Sequence, residues 1–120
     1  FDKDDNLICA NHNRRELDQN PTSHAEILVL EEASQILGTW RLEDTTIAVT
    51  LEPDAMCAGA IVNARIRKLI YSAPNLKAGA AYSLYNIPQD PRLNHHVEIK
   101  DNILSHESEA ILSSFFDSKR

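Results

Sequence analysis

The strongest constraint on the fold is a buried-strand pattern, the run TTIAVTL at residues 45–51. Before it, apolar residues recur at helical spacing over residues 22–37, and Gly38 is the expected end of that helix. After it, we expect a second helix over residues 53–64 and another strand over residues 68–72. Strands that alternate with helices of this length predict an α/β fold, with a parallel or mixed sheet covered on both faces.

The rest of the chain predicts shorter elements. We expect one domain over residues 1–120, and the turn before its first strand indicates a preceding strand that this sequence lacks. The expected elements are a strand at 7–10, a loop at 14–21, an irregular segment at 74–91 with a short helix near 80–85, a strand at 97–100 and a closing helix at 104–116.

Charge and composition narrow the classes of function. A net charge of −6 argues against non-specific affinity for nucleic acid. This overall charge does not exclude a small, locally basic binding face. Two cysteines form no disulfide framework, and no apolar run is long enough for a membrane span, so we expect a cytoplasmic protein. Five basic residues either contact phosphates or form an ordinary solvated surface: Arg65, Arg67, Lys68, Lys77 and Arg92.

Residues able to bind a metal cluster at the starts of the two predicted central helices. His24 and Glu26 begin one helix, and Asp54 and Cys57 begin the next. This pattern resembles the H-x-E…P-C-x-x-C signature of zinc-dependent nucleobase deaminases, except that Asp54 stands at the first cysteine position. Three protein ligands with an open fourth position, and a carboxylate that moves protons, are what such chemistry needs. The candidate ligands are His24, Asp54 and Cys57, and the candidate proton carrier is Glu26.

Each of these residues also has a purely structural interpretation. His24 fits a polar residue at a helix N-terminus, and Ser23 with Glu26 forms the S-x-x-E pattern of a capping box. Asp54 suits a first helical turn, and Cys57 suits a buried position among small neighbours. The functional interpretation is favoured because the two pairs occur together, separated by a single strand.

Helix geometry adds three expectations about this cluster. Asp54 and Cys57 are three residues apart, so they share one helix face. His24 and Glu26 are two apart, so they point in different directions, one to a metal and one to a substrate. The helix N-terminus should lower the pKa of the Cys57 thiol.

Over essentially its whole length the chain resembles the bacterial tRNA-specific adenosine deaminases of the cytidine deaminase superfamily. The blocks that carry the resemblance are NPTSHAEI at 20–27, VTLEP at 49–53, MCAGAI at 56–61, KAGA at 77–80, LNH at 93–95 and Phe115 with Phe116. The resemblance implies a three-layer α/β/α sandwich around a mixed five-stranded sheet, with the family's first helix and most of its first strand missing from this sequence. It also implies zinc-dependent hydrolysis of adenosine to inosine at the anticodon wobble position of an arginine tRNA, by a homodimer.

The resemblance also assigns residues. It implies that Asn13 holds the flipped base and that Asn94 and His95, with the loop at 74–85, form the face for the anticodon. Asn94 and His95 alone would fit a polar turn.

Asp54 departs from the family pattern. A carboxylate can bind zinc, so we expect zinc to bind, but less tightly than with cysteine. One alternative is an impaired deaminase-fold subunit or RNA-binding module, and another is a deaminase of free bases or nucleosides.

Overall fold

The computed structural model describes residues 1–104 of the 120-residue chain. The predicted closing helix at 104–116 lies outside the described residues, apart from its first position. The described elements, in chain order, are α1 Arg15–Asp18, α2 Ala25–Leu37, β1 Thr46–Leu51, α3 Ala55–Asn63, β2 Lys68–Ala73 and β3 Glu98–Lys100.

The strands form a parallel sheet in the order β1-β2-β3. Thr46 stands opposite Lys68, and Lys68 stands opposite Glu98, so all three strands begin at one edge of the sheet. The α/β class is therefore confirmed. Residues 1–104 contribute three strands, all parallel, which is consistent with part of the mixed five-stranded sheet that the resemblance implies.

One face of the sheet packs against the two long helices. Alternate residues of β2 are buried, as expected for a strand with one covered face. Helix α2 also packs on α3. The shared core contains Leu30 and Ala33 of α2, Ile61 and Val62 of α3, Ile47 of β1, and Leu69 and Tyr71 of β2. Because both helices lie against this core, their N-terminal residues are brought to neighbouring positions.

The central elements confirm the sequence predictions, and three peripheral predictions are wrong. Gly38 ends α2 with a φ of 70°, the left-handed conformation that glycine adopts without strain. Residues 7–10 form no strand, although Ile8 and Cys9 pack against the core. Residues 80–85 form turns rather than a helix, because their backbone N–H groups bind elsewhere, whereas the predicted loop at 14–21 contains the short helix α1.

The first residue is fixed beside the start of β1. The Phe1 amino group donates to the Thr46 carbonyl at 2.8 Å, and the Thr46 N–H donates to the Phe1 carbonyl at 3.0 Å. This exchange of both bonds is typical of an antiparallel hydrogen-bonded pair. Within residues 1–104, no helix is both long and apolar enough to cross a bilayer.

Candidate metal and catalytic site

His24 immediately precedes α2 and is its N-cap residue. Its backbone is extended, with φ −71° and ψ 149°, and its side chain makes no capping bond. Because the N-cap is His24 rather than Ser23, the S-x-x-E pattern does not form the capping box that was the structural alternative for Glu26. Glu26 lies in the first turn of α2, and both side chains are only partly exposed.

Asp54 is the N-cap of α3, and Cys57 lies in the first turn of that helix. The Asp54 Oδ1 atom accepts a hydrogen bond from the Cys57 N–H at 3.0 Å. Such a cap satisfies one of the N–H groups that a helix start leaves without a partner. The cap fixes the carboxylate beside Cys57, whose side chain is fully buried. The predicted proximity of these two residues is confirmed, although Asp54 itself is outside the helix.

The two helix starts converge on one point. The Cys57 Sγ atom lies 3.4 Å from His24 Nδ1, and Asp54 Oδ2 lies 3.6 Å from the same nitrogen. One ligand atom each from His24, Glu26 and Cys57 also lie within 4.8 Å of one another. Helix spacing does not apply to His24, whose backbone is extended, so the different directions expected for His24 and Glu26 stay a prediction.

The electrostatics of this cluster favour a cation. Burial is the main cause that raises the pKa of the Cys57 thiol, and the nearby carboxylates of Glu26 and Asp54 raise it further. The predicted lowering of this pKa by the helix N-terminus is therefore wrong for the chain by itself. Two carboxylates around a buried thiol form an acceptor-rich centre, and a bound divalent cation would favour the thiolate.

The distances from His24 to Cys57 and from His24 to Asp54 each fit a pair of zinc ligands. With bonds of about 2.0–2.3 Å, two ligands of a tetrahedral zinc are about 3.3–3.7 Å apart. The separations of 3.4 Å and 3.6 Å from His24 Nδ1 to Cys57 Sγ and Asp54 Oδ2 fall in that range. Imidazole, thiolate and carboxylate are all zinc ligands. Glu26 is close enough to be a competing ligand or a proton carrier.

The residues predicted to bind substrate lie in two places. Asn13 is exposed next to Arg14, whose N–H donates to the Ser23 carbonyl at 2.9 Å, so Asn13 is held near His24. Asn94 and His95 are not brought to the metal cluster.

Asn94 and His95 are anchored beyond the C-terminal end of α3. The Asn94 side chain accepts a 3.0 Å bond from Arg65, and His95 Nε2 lies 2.8 Å from the Ile66 carbonyl. The nine residues of α3 rise by about 13 Å, which separates these two side chains from Asp54 and Cys57.

Sequence reasoning missed Glu52, which follows β1. This carboxylate is 1% exposed and accepts hydrogen bonds from residues 75–83. Burial alone would raise the pKa of Glu52, but hydrogen bonds from Ser83, Tyr82 and Asn75 together hold that pKa below its usual value. An acidic residue directly between a buried strand and Pro53 was the signal that could have identified it.

Comparison with known proteins agrees with this geometry. A family model of MafB19-like deaminases matches residues 2–120. The tRNA-specific adenosine deaminase of Bacillus subtilis strain 168 is 46% identical over 110 residues, which cover 92% of this chain and 68% of that protein.

Solved structures are similar as well. One comes from work on A-to-I editing by tRNA:A34 deaminases at the wobble position of transfer RNA. That structure matches with a TM-score of 0.83 at 38% identity, and the match covers 89% of this chain and 78% of the chain in that structure. A guanine deaminase from Nitrosomonas europaea shares the fold. Its structure matches with a TM-score of 0.70 at 21% identity, over 88% of this chain and 63% of the guanine deaminase chain. These findings confirm the resemblance noted in the sequence: the chain belongs to the MafB19-like deaminase family and to the family of the tRNA-specific adenosine deaminases.

Proposed function

We propose that this protein is a zinc-dependent hydrolase that converts adenosine to inosine in tRNA. The observation that carries the proposal is the cluster of His24, Glu26 and Cys57, whose ligand atoms lie within 4.8 Å of one another, with Asp54 Oδ2 at 3.6 Å from His24 Nδ1. The same reaction is supported by relatives that match more than nine-tenths of this chain and are named tRNA-specific adenosine deaminases.

The proposed roles divide the cluster into ligands and a proton carrier. His24, Asp54 and Cys57 would hold the zinc ion, which supplies the activation of a water molecule at neutral pH. Glu26 accepts a proton from the attacking water and passes protons to the purine ring nitrogen and to the departing ammonia. The overall reaction consumes one water and releases one ammonia for each inosine formed.

The proposed substrate is the anticodon loop of an arginine tRNA, with the wobble adenosine flipped into the site. Single-stranded loops allow a base to be turned outward and held in a pocket. Asn13, held near His24, would bind the flipped base. Asn94 and His95, about 13 Å away along α3, would contact a more distant part of the loop. We further propose a homodimer in the cytoplasm, where tRNA is decoded.

The alternative is an impaired deaminase that binds RNA without turning it over. The observation that favours it is the cap bond of Asp54, because one carboxylate oxygen is already engaged by the Cys57 N–H at 3.0 Å. Deamination of free bases or nucleosides is a second alternative, which the adenosine-specific relatives disfavour.

Zinc content and product formation test the proposal together. We expect elemental analysis to find about one zinc for each chain and an arginine tRNA anticodon stem-loop to gain inosine. The control is Glu26→Gln, which removes the proton carrier and should abolish inosine formation. Zinc-free wild-type protein that still binds the stem-loop would favour the impaired subunit. Turnover of free bases with an unchanged stem-loop would favour the second alternative.

A further inference from the structure

Glu52 is a buried acid that forms no ion pair with a cation of residues 1–104. It is 1% exposed, and none of the ion pairs formed within residues 1–104 includes it. A buried carboxylate without such a partner has to be stabilised by hydrogen bonds. The hydrogen-bond donors around Glu52 therefore show which part of the protein this side chain holds in place.

Within residues 1–104, the hydrogen bonds to the Glu52 side chain all come from one segment, residues 75–83, which we call the Glu52 loop. Its Oε2 atom accepts from three consecutive N–H groups, those of Ala81, Tyr82 and Ser83, at 3.1, 2.8 and 2.9 Å. Its Oε1 atom accepts from the Asn75 N–H at 3.1 Å and from the Ser83 hydroxyl at 2.5 Å. Both ends of the loop are thus attached to the same carboxylate.

The loop also closes tightly around this carboxylate. A Cβ atom at Gly79 would lie 2.5 Å from Glu52 Oε2 and 2.5 Å from the Asn75 carbonyl oxygen, so only glycine fits there. The Ala80 N–H donates to the Pro53 carbonyl at 2.8 Å. The loop is consequently fixed to the two residues that directly precede Asp54.

The outer side of the loop is suited to contact a nucleic acid. Tyr82 and Leu76 are each 76% exposed, although the backbone of Tyr82 is bound by Glu52. Lys77 is exposed next to Leu76. Exposed aromatic rings stack on unpaired bases, and a nearby lysine contributes attraction to phosphate.

We propose that Glu52 is a positioning residue, which fixes the Glu52 loop to the start of α3 and thereby sets how RNA is held next to the metal cluster. This inference rests on the proposed function, because RNA is the substrate that the loop would hold. Glu52 acts through the loop and contacts no reacting atom. Only a carboxylate fits the role, since a glutamine amide would direct N–H groups at other N–H groups.

The test compares Glu52→Gln with Glu43→Gln, the same chemical change at an exposed glutamate. For Glu52→Gln we expect KM for the anticodon stem-loop to rise by about tenfold or more, from the loss of several charge-assisted hydrogen bonds, with kcat changed by less than about threefold. Zinc content should stay the same. Amide hydrogen exchange should accelerate at Ala81, Tyr82 and Ser83 and remain slow in the core of α2.

Two outcomes overturn the proposal. One is exchange and KM for Glu52→Gln that match Glu43→Gln. The other is a loss of zinc or kcat with KM unchanged, which would place Glu52 in the metal site itself. If Glu52→Gln does not fold, Ser83→Ala can be tested instead, because it removes only the hydroxyl bond to Oε1. We expect Ser83→Ala to produce a smaller rise in KM and a smaller acceleration of loop exchange. No change in either quantity would overturn the proposal.

The exchange measurement also separates this inference from the proposed function. Amide exchange and direct binding of the stem-loop to a Glu26→Gln background need no turnover. A wild-type protein without deaminase activity would contradict the proposed function, whereas accelerated loop exchange and weaker stem-loop binding in Glu52→Gln would still support the positioning role.

Discussion

Asp54 uses its two carboxylate oxygens for different purposes. Oδ1 caps α3 through the Cys57 N–H, and Oδ2 faces His24 Nδ1 at 3.6 Å. Aspartate and asparagine are among the best N-cap residues, and cysteine is not among the preferred ones. Aspartate at this position therefore exchanges a softer zinc ligand for a better start of the helix, and the two properties can be separated by substitution.

We predict that Asp54→Asn keeps the stability of the metal-free protein, because asparagine caps equally well, but weakens zinc binding. Asp54→Cys should bind zinc more tightly than the wild type, while its metal-free form loses about 1 kcal/mol of unfolding free energy with the cap. Urea unfolding in chelator and competitive zinc titration measure the two effects. Unchanged zinc affinity in Asp54→Asn would show that the carboxylate is not a ligand.

The residue pattern predicted which side chains lie together at the starts of α2 and α3, but not their arrangement. His24, Glu26, Asp54 and Cys57 were identifiable because helix starts and residue types are visible in the sequence. Their orientations were not, because the N-cap positions of His24 and Asp54 depend on where each helix begins, which sequence periodicity locates only within a few residues. The Cys57 pKa was mispredicted because burial and two carboxylates outweigh the helix terminus.

At the scale of elements, two glycines differ in how much space surrounds them. Gly59 lies inside α3, where an added Cβ would meet nothing within 4 Å, whereas a Cβ at Gly79 would collide with Glu52. Gly59→Ala should stabilise the protein by up to about 1 kcal/mol through helix propensity. Gly79→Ala should destabilise it, because the loop must move away from the carboxylate. Paired urea denaturation curves measure both, and a loss of stability in Gly59→Ala would show that α3 is packed more closely there.

The central elements were predictable because helical and strand periodicities persist over long, buried runs. The turns at residues 80–85 were not, because their N–H groups bind a side chain about 30 positions earlier, and no local pattern reports that contact. Residues 7–10 have a strand-like composition but pack on the core without joining a ladder. The conformation of these segments is set by long-range contacts rather than by local propensity.

For the whole molecule, a net charge of −6 requires that RNA be bound through a few selected cations. The charge of Arg92 already has a partner, since Arg92 forms a 2.6 Å ion pair with Asp90 and, through its hydrogen bonds, holds the pKa of that carboxyl at about 2. Arg65 instead donates to the neutral side chain of Asn94, which leaves its charge uncompensated by that contact.

We therefore predict that Arg65→Gln weakens binding of the stem-loop and makes its salt dependence shallower, by about 0.7 in the slope of log K against log salt concentration. Arg92→Gln, the matched control, should leave that slope unchanged because its charge is already paired with Asp90. Binding titrations at several salt concentrations measure both slopes. Equal slopes for the two variants would contradict the assignment of Arg65. A shallower slope for Arg92→Gln alone would mean that the Asp90 ion pair opens when RNA binds, and that the basic face lies on the loop of Arg92 rather than at the end of α3.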